Sequence, residues 1–218
     1  MNTTFASSEQ IMSALQWRYA VKRFDANQQI SDQDWKTLQE SLRLAPSSYG
    51  LQAWKFIHVK TPALRAQLRE VSWNQSQITD ASQLLVLVYK KKITEADVNH
   101  FIDSTAQIRG IPTESMKGFA DTIIGDVVKG PRAEVAHIWT QRQVYIAMGF
   151  LLETAALLKI DACPMEGINP VEYDKLLGLD GTEWATVATV TLGYRHAEDS
   201  YQHMKKARFS TTEVFEVK

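Results

Sequence analysis

The fold is decided where a helix gives way to a strand, in the stretch Ala45-Pro46-Ser47-Ser48-Tyr49-Gly50-Leu51-Gln52-Ala53-Trp54-Lys55-Phe56-Ile57-His58-Val59. Residues 31–45 are predicted to form the helix, because Ser31 can cap it and its apolar side chains recur on one face. Pro46 ends that helix, and residues 54–60 are rich in strand formers. The serines and the glycine in between carry more hydrogen-bonding groups than a plain turn needs. This excess raises the question of what the turn faces.

The rest of the chain adds further elements in an irregular order. Predicted helices cover residues 8–18, 62–71, 94–109, 113–128, 131–158 and 170–177, and predicted strands cover residues 84–90 and 184–194. Helices outnumber strands and do not alternate strictly with them, which predicts an α+β fold rather than a doubly wound sheet. The 218 residues, 44% of them hydrophobic, suit one domain over 1–218, in which 94–128 forms a helical excursion or lid.

Two segments favour a homodimer. The second half of the long helix at 131–158 is apolar nearly all round, and such a helix must be buried on every side. One subunit could bury it, but a dimer interface does so more easily. The tail, residues 211–217, contains strand formers, and Val214, Phe215 and Val217 need cover. Pairing of this tail with the sheet edge of a partner subunit is one physical solution.

The composition limits partners and compartment. A net charge of -1 gives no basic field for nucleic acid and no polybasic block for a membrane surface. Cys163 is the single cysteine, so an internal disulfide is impossible and a reducing compartment is expected. Residues 1–6 show no signal peptide, and the apolar run at 144–160 is interrupted by charged residues. These features together predict a cytoplasmic protein.

Several familiar chemistries lack their motifs. The sequence has no Gly-x-Gly-x-x-Gly after a strand, no phosphate-binding Gly-Lys-Ser/Thr loop and no Gly-x-Ser-x-Gly elbow. Its five histidines show no metal-ligand spacing, so no metal site is predicted. What remains is a set of basic and polar clusters at segment ends. Singly, each cluster is more often a solvated surface or an ordinary turn.

Together and in order, these clusters resemble the FMN-dependent nitroreductase family, in particular bacterial oxygen-insensitive NAD(P)H nitroreductases and flavin reductases. The matching pieces are Arg18-Tyr-Ala-Val-Lys22-Arg-Phe-Asp25, Pro46-Ser-Ser-Tyr-Gly-Leu-Gln-Ala-Trp-Lys-Phe56, Asp80-Ala-Ser82, Gln143-Val-Tyr145, Pro164-Met-Glu-Gly167 and Lys206-Ala-Arg208. The likeness spans about residues 16–208. It implies a mixed sheet flanked by helices in an intertwined homodimer, with the C-terminal tail exchanged and FMN bound at the interface.

The resemblance also assigns residues to the cofactor. It implies that Arg18, Lys206 and Arg208 contact the FMN phosphate and ribityl chain, and that Lys22 lies near the pyrimidine edge of the ring. The full implied cofactor set is Arg18, Tyr19, Ala20, Lys22, Ser47, Ser48, Gly50, Asn74, Gln77, Gln143, Pro164, Met165, Glu166, Gly167, Lys206 and Arg208. In this set, residues 164–167 cover the ring face, and the Glu166 N–H addresses ring atom N5.

The family pattern explains the opening turn and also shows departures. In the family, the Pro-Ser-Ser turn approaches a flavin bound mainly by the other subunit, so Ser47 and Ser48 would face a cofactor across the dimer. Four positions differ from frequent family residues: Ala20, Gly50, Ala53 and Gln77. These differences affect redox tuning and substrate preference more than FMN binding, because the phosphate-binding cations remain.

The predicted substrate pocket above the flavin is lined by Tyr49, Trp73 and Phe119. Aromatic walls suit flat, electron-poor acceptors such as nitroaromatics and quinones. The predicted reaction is a ping-pong transfer of two electrons from transiently bound NAD(P)H, through FMN, to the acceptor. No protein nucleophile is required. The alternatives are reduction of an enone, a pterin or free flavin on the same scaffold, and a non-catalytic FMN-binding module.

Overall fold

The computed structural model describes residues 5–218, so the signal-peptide prediction for residues 1–6 lies mostly outside the described residues. The α-helices are α1 Ser8–Trp17, α2 Asp32–Arg43, α3 Pro62–Glu70, α4 Gln77–Asp80, α5 Glu95–Arg109, α6 Lys117–Ile123, α7 Ala136–Leu157, α8 Pro170–Leu176 and α9 Thr211–Val214. The strands are β1 Trp54–His58, β2 Gln83–Lys90, β3 Asp161–Met165 and β4 Trp184–Gly193. The predicted α+β class is confirmed.

The sheet has the strand order β1-β2-β4-β3, and all neighbouring strands are antiparallel. The prediction of a mixed sheet is therefore wrong for these four strands. Within residues 5–218, the one parallel pairing is an isolated bridge between Ala20 and Ala162. Strand β3 was missed because Pro164 interrupts a short run of five residues. Its position at the sheet edge explains why a proline is tolerated there.

Helix α7 covers one face of the sheet beside α2, and it is buried on one side only. Its buried side includes Val144, Ala147 and Leu151, each with no accessible surface. On the opposite side, Ile146 and Phe150 are 41% and 46% exposed. A single chain therefore leaves an apolar strip of this helix in contact with solvent.

The excursion at 94–128 has its own apolar cluster, formed by α5, α6 and the start of α7. Ile102, Ile123 and Val127 are buried in it together with Trp139. The continuous helix predicted at 113–128 is broken into a 3-10 turn, α6 and a π-helical turn at Ile124–Val128. The predicted helix at 131–158 likewise begins with a 3-10 turn before α7 starts.

The C-terminal tail departs from its predicted strand. Residues Thr211–Val214 form the single helical turn α9, because Ser210 and Glu213 make a reciprocal capping box. Phe215 and Val217 are 73% and 97% exposed, so the chain's own fold gives them no cover. The tail exchange implied by the resemblance stays a prediction.

Candidate cofactor site

Five cationic residues line one open cavity of about 530 Å³, here called the cationic pocket. The cations are Arg18, Lys22, Lys205, Lys206 and Arg208, which lie at the two ends of the sequence, and Lys205 is not among the predicted cofactor residues. The other residues that line the pocket are Gln16, Trp17, Tyr19, Ala20, Tyr201, Gln202 and Met204. The structure therefore brings six of the sixteen predicted cofactor residues to one cavity.

The end of α1 positions the first of these cations. Ser7 caps the start of α1, and the helix ends where Arg18 adopts an extended backbone with φ -71° and ψ 143°. Lys206 crosses from the tail and donates from Nζ to the carbonyls of Leu15, at 2.7 Å, and of Arg18. A lysine at the last carbonyls of a helix satisfies acceptors that have no helical partner. This contact ties the tail to α1 and places Lys206 beside Arg18.

The charges in the pocket repel one another. Burial lowers the pKa of Arg18, and the charge of Arg208 lowers it further. Burial likewise lowers the pKa of Lys206, assisted by Arg18 and Arg208. Within residues 5–218, none of the five pocket cations forms a salt bridge, whereas the adjacent Arg23 pairs with Glu198 at 2.5 Å. Clustered cations without a salt-bridged carboxylate fit a doubly charged phosphate, which guanidinium groups bind bidentately.

A buried carboxylate shapes the segment that carries Lys22. Asp199 accepts hydrogen bonds at Oδ2 from the backbone N–H groups of Lys22, at 2.8 Å, and Arg23, at 3.1 Å. Its Oδ1 accepts from the Tyr201 N–H at 3.0 Å. Burial alone would raise the pKa of Asp199, but these hydrogen bonds lower it overall. The sequence reasoning missed Asp199 and Tyr201, although an acidic residue just before a helical turn is a recognisable cap.

The predicted ring-covering stretch lies next to the pocket, at the end of β3. The bridge between Ala20 and Ala162 joins the two segments, and the charges of Lys22 and Arg18 reach Cys163. Within residues 5–218, the backbone N–H groups of Glu166 and Gly167 donate no hydrogen bond. They are therefore available to a ligand. A cavity of about 300 Å³ adjoins them and is lined by Met148, Pro164, Met165, Glu166 and Ala188.

Side chains on both sides hold this stretch in place. Glu166 Oε1 accepts a hydrogen bond of 2.6 Å from the Tyr145 hydroxyl of α7. On the other side, Gln75 Nε2 donates to the Gly167 carbonyl at 3.1 Å. The ring of Trp73 lies so close that a Cβ at Gly167 would come within 2.8 Å of it. A larger residue at position 167 would therefore require the exposed Trp73 ring to move.

The predicted residues Trp73, Asn74 and Gln77 have different surroundings. Trp73 and Asn74 both have a φ of 52°, a left-handed backbone that is rare for residues other than glycine. Arg69 supports them by donating from Nε to the Asn74 side-chain oxygen at 2.9 Å. Gln77 is buried beside Cys163. Burial raises the pKa of the Cys163 thiol, as expected for an inert cysteine.

The serine turn, defined as residues 47–52, is held by its own hydrogen bonds. The Ser48 N–H donates to Gln143 Oε1 at 2.9 Å, and Gln143 Nε2 donates to the Trp139 carbonyl at 2.9 Å. Ser47 Oγ accepts from the Gln52 N–H at 3.0 Å. Some of the hydrogen-bonding groups of this turn are therefore paired within the chain. Gln143 here positions the turn.

The serine turn is also strained and packed against aromatic rings. Tyr49, Gly50 and Gln52 have φ values of 59°, 80° and 49°. Strained residues that are not glycine cluster at functional sites. The ring of Tyr49 lies 6.2 Å from that of Phe119, edge to face, so these two predicted pocket residues do meet. A Cβ at Gly50 would lie 3.2 Å from the ring of Phe101, which fills the space that a larger residue would need.

One chain does not bring the serine turn to the cationic pocket. No residue of the turn lines that pocket, and no hydrogen bond among residues 5–218 joins the two. The predicted residues thus divide into two sets. The first set contains Arg18, Tyr19, Ala20, Lys22, Lys206 and Arg208, with 164–167, Trp73, Asn74 and Gln77 near β3. The second contains Ser47, Ser48, Tyr49, Gly50, Phe119 and Gln143.

Among residues 5–218, no group of three or more His, Cys, Asp or Glu side chains is placed to hold a metal ion. Across the same residues, each helix is too short or too polar to traverse a lipid bilayer.

The chain thus combines an α+β fold, a small antiparallel sheet and a pocket lined by cations. A sequence model described as the nitroreductase family matches residues 15–194. A Staphylococcus aureus protein named as a candidate NAD(P)H nitroreductase is 31% identical over 207 residues, covering 92% of this chain and 93% of that protein. The chain therefore belongs to the nitroreductase family, and the predicted family is confirmed.

Solved structures agree with the fold. A candidate nitroreductase from Exiguobacterium sibiricum, solved in complex with FMN, superposes with a TM-score of 0.81 at 19% identity and covers both chains completely. A gut-bacterial enone reductase superposes with a TM-score of 0.78 at 19% identity, covering 95% of this chain and 97% of its own. At such identities these likenesses establish the fold alone.

Proposed function

We propose that this protein is an FMN-dependent NAD(P)H oxidoreductase that reduces nitroaromatics, quinones or similar electron-poor acceptors by two-electron transfer. The observation that carries the proposal is the cationic pocket, where five cations converge without a salt-bridge partner among residues 5–218. Family membership and the FMN complex of the Exiguobacterium sibiricum protein support the choice of cofactor. The NAD(P)H nitroreductase name of the Staphylococcus aureus relative supports the class of reductant.

Different residues of the chain would contact different parts of this cofactor. Arg18, Lys206 and Arg208 bind the phosphate, and Lys22 supplies positive charge on the same side of the site. The open N–H groups of Glu166 and Gly167 donate hydrogen bonds to the ring. FMN, when bound, supplies the hydride chemistry that no side chain provides. Trp73 and the apolar lining near Met148 exclude water from the ring face.

We further propose that a homodimer completes the site, with the serine turn of one subunit facing the cationic pocket of the other. The exposed apolar strip of α7 and the uncovered tail residues Phe215 and Val217 support an interface of this kind. In the same arrangement, Tyr49 and Phe119 form an aromatic wall against which a flat acceptor can pack. Residues 94–128, which carry Phe119, then act as the lid, and the proposed location is the cytoplasm.

A second candidate is reduction of an enone on the same scaffold. The gut-bacterial enone reductase has the same fold, and conjugated enones are flat, electron-poor acceptors like quinones. Both candidates require the same cofactor and the same reductant. They differ only in the acceptor that the aromatic wall selects.

A reduction experiment separates these functions. Purified protein reconstituted with FMN should be yellow, and NADPH or NADH should bleach it under anaerobic conditions. Re-oxidation is then timed with nitrofurazone, menadione and a cyclic enone. Fast bleaching with fastest recovery by the nitro compound or quinone supports the proposal, whereas fastest recovery by the enone supports the second candidate. A yellow protein that neither nicotinamide bleaches would be a flavin-binding module, and a colourless protein would contradict the cofactor assignment.

A further inference from the structure

We propose that Arg195 is a positioning residue that aims Arg18 at the cofactor phosphate; this inference rests on the proposed function. Arg195 does not line the cationic pocket. Its guanidinium carbon lies 4.2 Å from the centre of the Trp17 ring and 4.6 Å from that of the Tyr19 ring. These two rings belong to the immediate neighbours of Arg18. One side chain thus contacts the residues on both sides of the cation that is to meet the phosphate.

Arg195 is itself fixed by a buried carboxylate. Asp161 is 3% exposed. Arg195 Nε donates to each of its carboxylate oxygens at 3.0 Å, and Arg195 Nη2 donates to its Oδ1 at 2.6 Å. It also accepts from the backbone N–H of Arg195 at 2.8 Å. A two-point contact between a planar guanidinium and a carboxylate fixes direction as well as distance. The guanidinium plane is therefore held in a set orientation against the two rings.

The same contacts link the pocket to the ring-covering stretch. Asp161 begins β3, whose residues 164–167 are proposed to cover the flavin ring, and its neighbour Ala162 bridges to Ala20. Arg195 also bridges through its backbone to Phe24. The segment 17–24 is thus attached to β3 at several points. Its Arg18 side chain is left to line the pocket, where it has no salt-bridge partner within residues 5–218.

The Tyr19 ring packs on Arg195 and also against the apolar cluster that contains Cys163 and Met165. Its buried hydroxyl has no hydrogen-bond partner of normal geometry among the described residues, although Asp199 lies near it. Burial raises the pKa of Tyr19, and the adjacent Arg195 charge offsets this only in part. The ring of Tyr19 is therefore oriented mainly by packing, and Arg195 is its cationic partner in that packing. A cation held against an aromatic face is attracted by the ring.

The test compares binding of FMN and riboflavin, which differ by the phosphate alone. In Arg195→Lys, the lysine cannot make the two-point contact with Asp161 or stack as a plane on two rings. FMN affinity of the apoprotein should fall about tenfold, the effect of one misaligned charge-assisted hydrogen bond, while riboflavin affinity should change by less than about twofold. Arg23→Lys is the matched control, because Arg23 pairs with the exposed Glu198 and contacts no ring. It should leave both affinities unchanged.

A purely structural role for Arg195 predicts a different result. In that case, Arg195→Lys would lower the melting temperature of the apoprotein and weaken FMN and riboflavin equally, or weaken neither, and this would overturn the proposal. Ile102→Val, a destabilising change in the separate cluster of α5, controls for loss of stability. If Arg195→Lys does not fold, Trp17→Leu removes one stacking ring, and it too must selectively weaken FMN. A wild-type protein that binds riboflavin as tightly as FMN would instead contradict the proposed function.

Discussion

The cationic pocket and the serine turn differ in charge and in how their polar groups are paired. The pocket gathers Arg18, Lys22, Lys205, Lys206 and Arg208, and within residues 5–218 these charges have no salt-bridge partner. The serine turn carries no charge. Its Ser48 and Gln52 N–H groups donate hydrogen bonds inside the chain, and its backbone is left-handed at Tyr49, Gly50 and Gln52.

The two regions therefore differ in the groups that they offer to a ligand. The pocket concentrates positive charge, the turn carries neutral polar groups, and a single chain does not bring the two together. The proposed homodimer would place each pocket opposite the turn of the other subunit.

The largest expected effect comes from removing two cations of the pocket. The double variant Arg18→Ala with Arg208→Ala loses two charge-assisted contacts to the phosphate, so FMN affinity should fall at least about 100-fold. Isothermal titration of the apoprotein measures this loss. The control replaces Arg43 and Arg109, two arginines outside the pocket, and should bind FMN normally. A double variant that stays fully yellow would disprove the phosphate assignment.

The buried side-chain amide of Gln143, on α7, holds the serine turn and should therefore contribute to the stability of the fold. Gln143→Ala leaves the Ser48 N–H without its acceptor, which should lower the free energy of unfolding by about 1–3 kcal/mol. Urea denaturation of the apoprotein measures this change. Ser48→Ala keeps the backbone contact and serves as the control, with an expected change below about 0.5 kcal/mol. Equal stability of Gln143→Ala and wild type would show that the turn is held by other contacts.

A smaller effect should reveal the strain in the same turn. Gln52 has a φ of 49°, where a residue with a Cβ costs roughly 1–2 kcal/mol more than glycine. Gln52→Gly should therefore be more stable than Gln52→Ala by about 1 kcal/mol, after allowance for the greater unfolded-state freedom of glycine. Thermal unfolding of the two variants provides the comparison. If the alanine variant is the more stable, the turn does not store the proposed strain.

The smallest effect concerns pH. The pKa of Lys206 is lowered in the free protein, so its amino group loses its proton below the usual lysine range. Because a phosphate favours the protonated form, FMN affinity should be fully present at neutral pH and should fall a few-fold as the pH rises through the lowered pKa. Riboflavin titrated over the same pH range corrects for ionisation of the ring. Lys206→Arg should abolish the phosphate-dependent part, and its persistence would assign the titration to another group.

Local signals predicted most of the secondary structure. Ser31 caps the helix that follows it, and its side chain accepts the expected hydrogen bond from the Asp34 N–H. Strand β3 could not be predicted in this way, because Pro164 disrupts its pattern and only its edge position makes a proline acceptable. The strand predicted for the C-terminal tail is absent for a different reason. The tail's strand formers do not pair with either edge strand, β1 or β3, of their own chain, and the capping box at Ser210 gives a helical turn instead.

The site was predictable only as far as the family resemblance reached. It assigned Arg18, Lys206 and Arg208 to one ligand, and the structure brings them to one pocket. Residues that support the pocket without lining it, such as Asp161 and Arg195, could not be predicted from the sequence around them. Their contact joins positions far apart in the sequence, and it becomes visible only after β3 and β4 have paired.

Complementation between two defective chains tests the shared site most directly. One chain carries Arg18→Ala and Arg208→Ala, and the other carries Ser48→Trp, which places a bulky side chain on the serine turn. Each variant alone should bind no FMN. In a purified heterodimer of the two, the account predicts that half of the sites recover normal FMN affinity, because one intact pocket then meets one intact turn. A heterodimer with no recovered site would contradict an arrangement in which the two regions come from different subunits.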